Sequence, residues 1–324
     1  MNTPVIVAEM SANHLGSLER ALRIVDAAAD AGADALKVQT WTPGMMCIDT
    51  SYRLTHGPWA GRRLADLYED AWLPWEWHKP IFERARKRGL IPFSAAFDVA
   101  AVDFLETLGV DRHKVASFEL TDLPLIRHMA SKGKPMILST GMATAKEIAA
   151  ACSEATPNVT LLKCTSAYPA PLDGMNLAVI AGWRRIGYET GLSDHTLGHE
   201  AAVVATALGA SMIEKHLTLS RSDGGPDAGF SLEPDEFKAM VRAVKNAALA
   251  LGEVRYGPQP GEDTSLRRSL WVMRDIEEGE SLRLGDNVVT ARPALGLPPG
   301  TNLEGKRAAR YLLARIPLQA GDIQ

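Results

Sequence analysis

Residues 189–216 read ETGLSDHTLGHEAAVVATALGASMIEKH. Glu189–Leu192 has the texture of a short strand, Glu200–Leu208 is an Ala/Val-rich helical stretch, and Ser211–Glu214 is a second strand. Strand, helix and strand in immediate succession make a right-handed βαβ unit with parallel strands. The same alternation runs back to the start of the chain. Strands are expected at Val5–Ala8, Ala35–Val38, Leu90–Phe93, Lys114–Ala116, Pro135–Leu138 and Val159–Leu162. Helices are expected at Leu18–Ala31, Trp75–Arg88, Val99–Leu108, Leu123–Ser131, Ala145–Ala155 and Met175–Arg184, and Pro234–Leu251 follows the last strand. Eight β-then-α units in about 250 residues predict an α/β fold of the (β/α)8 TIM-barrel type. No Gly-x-Gly-x-x-Gly follows the first strand, which argues against a dinucleotide-binding sheet.

Composition narrows the function classes. Hydrophobic residues make up 46% and charged residues 23%, which suits a folded globular chain. Lys plus Arg is 35 against 39 Asp plus Glu, a net charge of −4, so charge makes no case for nucleic acid or an anionic membrane as partner. No apolar run reaches the roughly 18 residues of a membrane span. The first residues, MNTPVIVAEMSANH, lack the basic segment and long apolar core of a signal peptide, so a cytoplasmic location is expected. Cys47, Cys152 and Cys164 form no Cys-x-x-Cys and read as reduced thiols.

The expected organisation is a barrel over residues 1–251, a Gly/Pro-rich linker over 252–265 and a small β-rich module over 266–324. The phrases RDIEEGE (274–280) and RIPLQAGD (315–322) each read as a strand end and turn. One connection breaks the short-loop rule: Trp41 to Pro74, carrying Trp41, Trp59 and Trp72. It reads as a lid over the site or as a packed surface insertion.

In such a barrel the chemistry comes from the carboxyl ends of the strands. Those ends carry Glu9, Lys37, Gln39, Ser94, Lys114, Ser117, Glu119, Ser139, Lys163, Ser166, Ser193, His195 and His216. His195 and His216 lie at corresponding depth on adjacent strands. Two neutral imidazoles there could hold a divalent cation such as Mn²⁺, with Mg²⁺ or Co²⁺ as other candidates, or each could be a hydrogen-bonded structural histidine. Lys37 and Lys114, among the hydroxyls of Ser117, Ser139, Ser166 and Ser193, suit a phosphate or carboxylate. The other readings for such a lysine are a buried ion pair with a neighbouring Glu, or a Schiff base as in pyruvate aldolases. Glu9, Glu119 and Asp227 are acid/base candidates, with a simple turn aspartate as the other reading of Asp227. A non-enzymatic sugar sensor built on the same barrel is a further alternative.

The motifs AEMSANHLGS (8–17), ADALKVQT (33–40), KVASFE (114–119), LSTGMAT (138–144), CTSAYPAP (164–171), GLSDHT (191–196) and IEKH (213–216) together resemble the sialic acid synthase family over nearly the whole chain. WAGRRLADLY (59–68), PWEWH (74–78), LLKCTS (161–166) and GPDAGFSLEP (225–234) are most similar to its pseudaminic branch, where other members commonly have His in place of Lys163. The resemblance implies condensation of phosphoenolpyruvate with 2,4-diacetamido-2,4,6-trideoxy-L-altrose to give pseudaminic acid and phosphate by carbon–oxygen cleavage. The alternatives within the family are N-acetylneuraminate and legionaminate synthases.

The resemblance also implies roles residue by residue: His195 and His216 hold the metal, and Lys37, Lys114, Ser117, Ser139, Ser166 and Ser193 bind phosphoenolpyruvate. Glu9 is the acid/base, and Gln39, Glu119, Tyr168 and Asp227 contact the sugar or intermediate. The tail looks like an antifreeze-like (SAF) domain whose Arg292, in ARPALG (291–296), reaches a partner subunit's site and binds an N-acetyl group, which implies a domain-swapped homodimer. One stretch departs from the family. FSAAFD (93–98) has Ala95 where a hydroxyl is usual, so weaker phosphoenolpyruvate binding is expected, with Ser94 or a backbone amide as a substitute donor.

Overall fold

A computed structural model of the chain describes residues 3–324. Eight parallel strands close a barrel in sequence order: β1 (Val5–Glu9), β2 (Ala35–Thr40), β3 (Ile91–Ala96), β4 (His113–Val115), β5 (Met136–Ser139), β6 (Val159–Cys164), β7 (Glu189–Asp194) and β8 (Met212–His216). Closure is made by β1 against β8, with Glu9 opposite His216. The expected barrel is therefore present. Several strands run beyond their expected ends, to Ala96, Ser139, Cys164, Asp194 and His216. The apolar pattern stops early there because polar residues such as Ser94, Lys163, Asp194 and His216 occupy rim positions on both faces, while the backbone ladder continues.

Side chains alternate across each strand, so one set points into the barrel and the other toward the helices. The inward set starts with an apolar plug of Val7, Ala35, Phe93, Ile137, Leu162 and Met212. The outward set, including Ile6, Leu36, Leu138, Leu161 and Ile213, merges with the helices into the main core. The helices start where the chemistry of their caps dictates. Ser17, Asp98 and Asp122 each accept a backbone N–H of the first turn, and Thr144 forms a reciprocal capping box with Glu147. The long connection after β2 contains two short helices of its own, Pro43–Met46 and Leu64–Ala71. The helix expected from Met175 begins at Ala178, after Asn176 takes a left-handed turn.

The chain divides into two compact units, one ending at Glu253 and one spanning Val254–Gln324. The second unit pairs β9 (Ser269–Val272) antiparallel with β10 (Val288–Ala291). Its core of Leu270, Val272, Ile276, Leu282, Val288, Leu312 and Leu318 is supported by buried Asn287, which accepts from the Arg283 N–H at 2.8 Å and donates to the Ser281 carbonyl at 2.9 Å. No described helix is long and apolar enough to cross a membrane.

Gly191 of β7 shows how tightly the barrel wall is drawn. A Cβ there would lie 2.4 Å from the Met212 carbonyl oxygen and 2.6 Å from the Leu162 side chain. Strand backbone in a closed barrel has little freedom to yield. Gly191→Ala should therefore lose about 1–3 kcal/mol in thermal unfolding. An unchanged melting temperature would show that the wall can relax.

Candidate active site

One pleat above the apolar plug, the inward set changes character. Lys37, Lys114, Ser139, Cys164, Ser193 and Glu214 form the floor of a cavity of about 390 Å³ at the carboxyl ends of the strands, with Glu9 on the same inward layer just beneath. Lys37 Nζ lies 2.7 Å from Glu9 Oε2 and 3.5 Å from Glu214 Oε1, all three side chains being buried. Gln39 donates to the other Glu9 oxygen at 3.0 Å, and Ser193 donates to Glu214 at 3.1 Å. The ion-pair reading of a lysine thus applies to Lys37. It does not apply to Lys114, whose ammonium is equally enclosed but donates only to Ser139 Oγ at 2.7 Å and the Val115 carbonyl at 3.0 Å, with no carboxylate in ion-pair range among the described residues.

This packing separates the two carboxylates. Burial pushes Glu9 up to about 7, against the pull of Lys37 and with a further push from Glu214. Burial also acts on Glu214, but Lys114 and Lys37 together hold it below the ordinary carboxylate range. Burial lowers Lys114, with Lys37 adding to the fall and Glu214 opposing it only in part from beyond ion-pair range. The floor therefore has one carboxyl able to exchange a proton near neutrality, one fixed anion, and one cation in need of an anion.

At the rim, the His195 and His216 rings stand 5.2 Å apart, centroid to centroid. His195 Nδ1 lies 3.1 Å from the Thr165 carbonyl, which places its proton there and leaves Nε2 with a lone pair. His216 Nδ1 is enclosed with no hydrogen-bond partner. Burial first, and the charges of His195, Lys37 and Lys215 next, hold His216 well below the usual histidine range, so it is neutral. Burial opposes, but the Cys164 thiol and the Thr165 carbonyl raise His195 above the usual histidine range, so a cation bound there would compete with a proton, whereas neutral His216 with its orphaned, enclosed nitrogen fits a divalent cation directly. Among the described residues no larger cluster of His, Cys, Asp or Glu is gathered as a metal cage, so the protein's share of a ligand set would be the pair itself.

The predicted residues do not all stand alike. Lys37, Gln39, Lys114, Ser117, Glu119, Ser139, Tyr168, Ser193, His195, His216 and Asp227 line the cavity. Glu9 lies just beneath, reached through Lys37 and Gln39. Ser166 does not line the cavity but adjoins residues that do, 3.8 Å from Cys164 Sγ and so close to Gly141 that a Cβ there would fall 2.1 Å from its hydroxyl. Gly141 itself donates its N–H to Ser117 Oγ at 3.1 Å, which gathers the serines. Asp227 is more than a turn residue: its carboxylate accepts from the Ala12 N–H at 3.3 Å, tying its loop to the end of β1. Arg292 is exposed at the end of β10 in the second unit.

One expectation needs correction. Ser94 cannot stand in for a hydroxyl at Ala95. Alternation on β3 turns Ser94 outward, where its hydroxyl lies 2.6 Å from Thr40 Oγ1 and donates to the Val38 carbonyl, while Ala95 pairs in register with Lys114 on the inward face. Lys163 likewise stands off the cavity, with its ammonium on the Cys164 carbonyl at 2.8 Å.

Of the two readings of the Trp41–Pro74 connection, a lid or a packed surface insertion, its residues favour a cover over the site. Trp41, Met46, Leu54, Trp59, Leu64, Leu67 and Tyr68 of the long connection face the cavity, so this segment covers the site. It is latched by the Trp59 indole N–H, which donates to the Pro226 carbonyl at 2.8 Å, with the ring against Tyr168 and Phe230.

With this geometry described, comparison with known proteins gives a consistent answer. Residues 24–256 match the model of the NeuB family. The chain belongs to the NeuB family. It is 42% identical to a pseudaminic acid synthase of Campylobacter jejuni over 98% of this chain and 96% of that protein. It is 34% identical to an N,N'-diacetyllegionaminic acid synthase of Legionella pneumophila, over 98% and 93%. Among solved structures it superposes on an N-acetylneuraminic acid synthetase of Leptospira borgpetersenii with a TM-score of 0.73 and 32% identity, covering 81% of this chain and 89% of that one.

Glu119, at the edge of the NeuB-family cavity, carries a measurable cost. Burial pushes it from an ordinary 4.5 up to about 7, with Lys114 only partly opposing. A folded-state value above the unfolded one means the native state holds the proton longer, so stability falls as pH rises from 4.5 through 7. Glu119→Gln should melt like the parent at pH 4.5. At pH 8.5 it should be more stable by up to about 3 kcal/mol. Equal pH profiles of unfolding would show that Glu119 is solvated.

Proposed function

We propose that the chain condenses phosphoenolpyruvate with 2,4-diacetamido-2,4,6-trideoxy-L-altrose, giving pseudaminic acid and phosphate. That it is a synthase of this kind follows from family membership and from full-length relatives of that activity. The observation that carries the reading on the structural side is Lys114, an enclosed cation without a carboxylate, aimed with Ser139 at a cavity beneath the histidine pair. The apolar covering wall supports the choice of sugar. A 6-methyl and two acetamido methyls can be desolvated against Met46, Leu54, Leu64 and Leu67, where the hydroxyls of N-acetylmannosamine would lose water without gaining partners.

Lys114, Lys37, Ser117, Ser139 and Ser193 bind the phosphate and carboxylate in a site with little bulk water, where such contacts are strongest. Ser166 supports them through the Gly141 turn. Gln39, Tyr168, Asp227 and Glu119 orient the open-chain sugar so that its aldehyde carbon meets carbon three of phosphoenolpyruvate. Water then adds at carbon two and phosphate departs by carbon–oxygen cleavage. Glu9, the acid/base near the reacting carbons, passes a proton to the aldehyde oxygen as it becomes a hydroxyl and regains one from the water that adds, for which a value of about 7 suits it. His195 and His216 would hold a divalent cation, Mn²⁺ first and Mg²⁺ or Co²⁺ next, which when bound supplies Lewis-acid polarisation of the aldehyde. The second unit acts as an SAF domain, with Arg292 serving the partner's site in a domain-swapped homodimer, and the enzyme works in the cytoplasm.

The direct test is phosphate release from phosphoenolpyruvate with the altro-configured sugar, its gluco-configured legionaminic counterpart and N-acetylmannosamine, with and without Mn²⁺. The altro sugar with Mn²⁺ should be fastest by a wide margin. Release with N-acetylmannosamine alone would reassign the substrate. Oxygen-18 from water should appear in the sugar acid, and label in phosphate would reject carbon–oxygen cleavage. One observation favours a second reading, since burial lowers Lys114 as a Schiff-base lysine requires. Borohydride trapping of a pyruvate adduct on Lys114 would establish it.

Two substitutions probe the assigned contacts. Ala95→Ser restores an inward hydroxyl beside Lys114 and should lower KM for phosphoenolpyruvate about twofold to tenfold with kcat unchanged. An unaltered KM would remove position 95 from the phosphate contact. Trp59→Phe keeps the ring but loses the latch to Pro226, and should raise KM for the sugar several-fold while leaving KM for phosphoenolpyruvate alone. A change confined to phosphoenolpyruvate would refute the latch.

A further inference from the structure

The two strands that carry the histidine pair are joined on their other face by an ion pair that the mechanism does not use. Asp194 precedes His195 and Lys215 precedes His216, and Asp194 and Lys215 are direct partners in the β7–β8 register. Because successive side chains alternate, His195 and His216 turn into the cavity while Asp194 and Lys215 turn out of it, behind the wall. Lys215 Nζ sits 2.7 Å from Asp194 Oδ2, and both side chains are fully enclosed. The remaining ammonium protons go to the Thr196 carbonyl and, at 3.3 Å, to Thr196 Oγ1. The other Asp194 oxygen accepts the Thr196 N–H at 2.9 Å.

Lys215 on β8 thereby holds the Asp194 carboxylate on one side of His195 and the Thr196 carbonyl on the other, just past the end of β7. His195 and His216 have no comparable tie to each other. Each is otherwise tied to separate loops, with the His195 carbonyl taken by the Ala170 N–H at 2.9 Å and its Nδ1 on the Thr165 carbonyl at 3.1 Å, and the His216 carbonyl taken by the Leu232 N–H at 2.9 Å. An ion pair so deeply enclosed adds little net stability over well-packed apolar side chains of similar size, and what it adds is direction. We propose that Asp194 and Lys215 are positioning residues: a cross-strand strut that sets the spacing of His195 and His216 and so tunes the affinity of the pair for a divalent cation. This rests on the reading of the histidine pair as the cation site.

The test is cation binding by the full-length chain without substrates. Free Mn²⁺ would be followed by its paramagnetic resonance signal, and Co²⁺ by its visible absorption. The parent should bind one Mn²⁺ per chain, and His195→Ala should not. Lys215→Met and Asp194→Asn should each bind Mn²⁺ about 10–100-fold more weakly, with an altered Co²⁺ band, although neither residue touches the ion. If the single variants fail to fold, the paired replacement Asp194→Leu with Lys215→Met removes the strut while keeping apolar packing. It should melt close to the parent and show the same loss of affinity. A folded paired variant with parental Mn²⁺ affinity and Co²⁺ spectrum would overturn the strut and leave the histidine assignment standing. A parent chain that binds no Mn²⁺ would overturn both.

Discussion

Charge enclosed in a low-dielectric interior must be partnered, and the floor of this barrel contains more charge than it partners internally. Lys37 is shared between Glu9 and Glu214 at 2.7 and 3.5 Å. Burial leaves Glu9 near 7 despite Lys37, while Lys114 and Lys37 together outweigh burial at Glu214 and keep it an anion. Lys114 feels Glu214 at longer range, but its hydrogen-bond partners are all neutral. An anionic ligand would supply the direct contact it lacks. Binding it relieves an electrostatic deficit that folding alone created, which is how a stability cost becomes binding energy.

The wall over this floor has the opposite chemistry. Trp59, Tyr168 and Phe230 form one aromatic group that also touches both histidine rings, so the covering segment, the Asp227 loop and the rim of β7 and β8 meet at a single place. A ligand bridging floor and wall would be anionic at one end and rich in methyl groups at the other. Excluding water at that junction strengthens every contact made by the floor.

Much of this architecture is legible in the residue order. The alternation of apolar runs and amphipathic stretches predicts eight strands and a barrel, and the polar residues closing each run mark the mouth. The strand ends were read too short for the same reason that they matter functionally. Lys163, Asp194 and His216 break the apolar pattern, although the hydrogen-bonded ladder continues through them. Glu214 and Cys164 were visible but unassigned, since nothing local distinguishes an inward carboxylate or thiol from an outward one. Ser94 and Ala95 illustrate the difficulty, because a one-residue change of phase exchanges the cavity for the helix-facing core.

The sequence by itself determined the fold class, the rim on which the chemistry lies and the residue types available there, because hydrophobic periodicity and strand ends are local properties of the chain. Tertiary structure decided which lysine is neutralised and which is left for a ligand, which carboxyl is poised near neutrality, and that the segment after β2 covers the site. Those outcomes depend on distances between residues up to two hundred positions apart. Electrostatic energy in a buried site is set by such distances and by the exclusion of water, and neither is written in any single stretch of sequence.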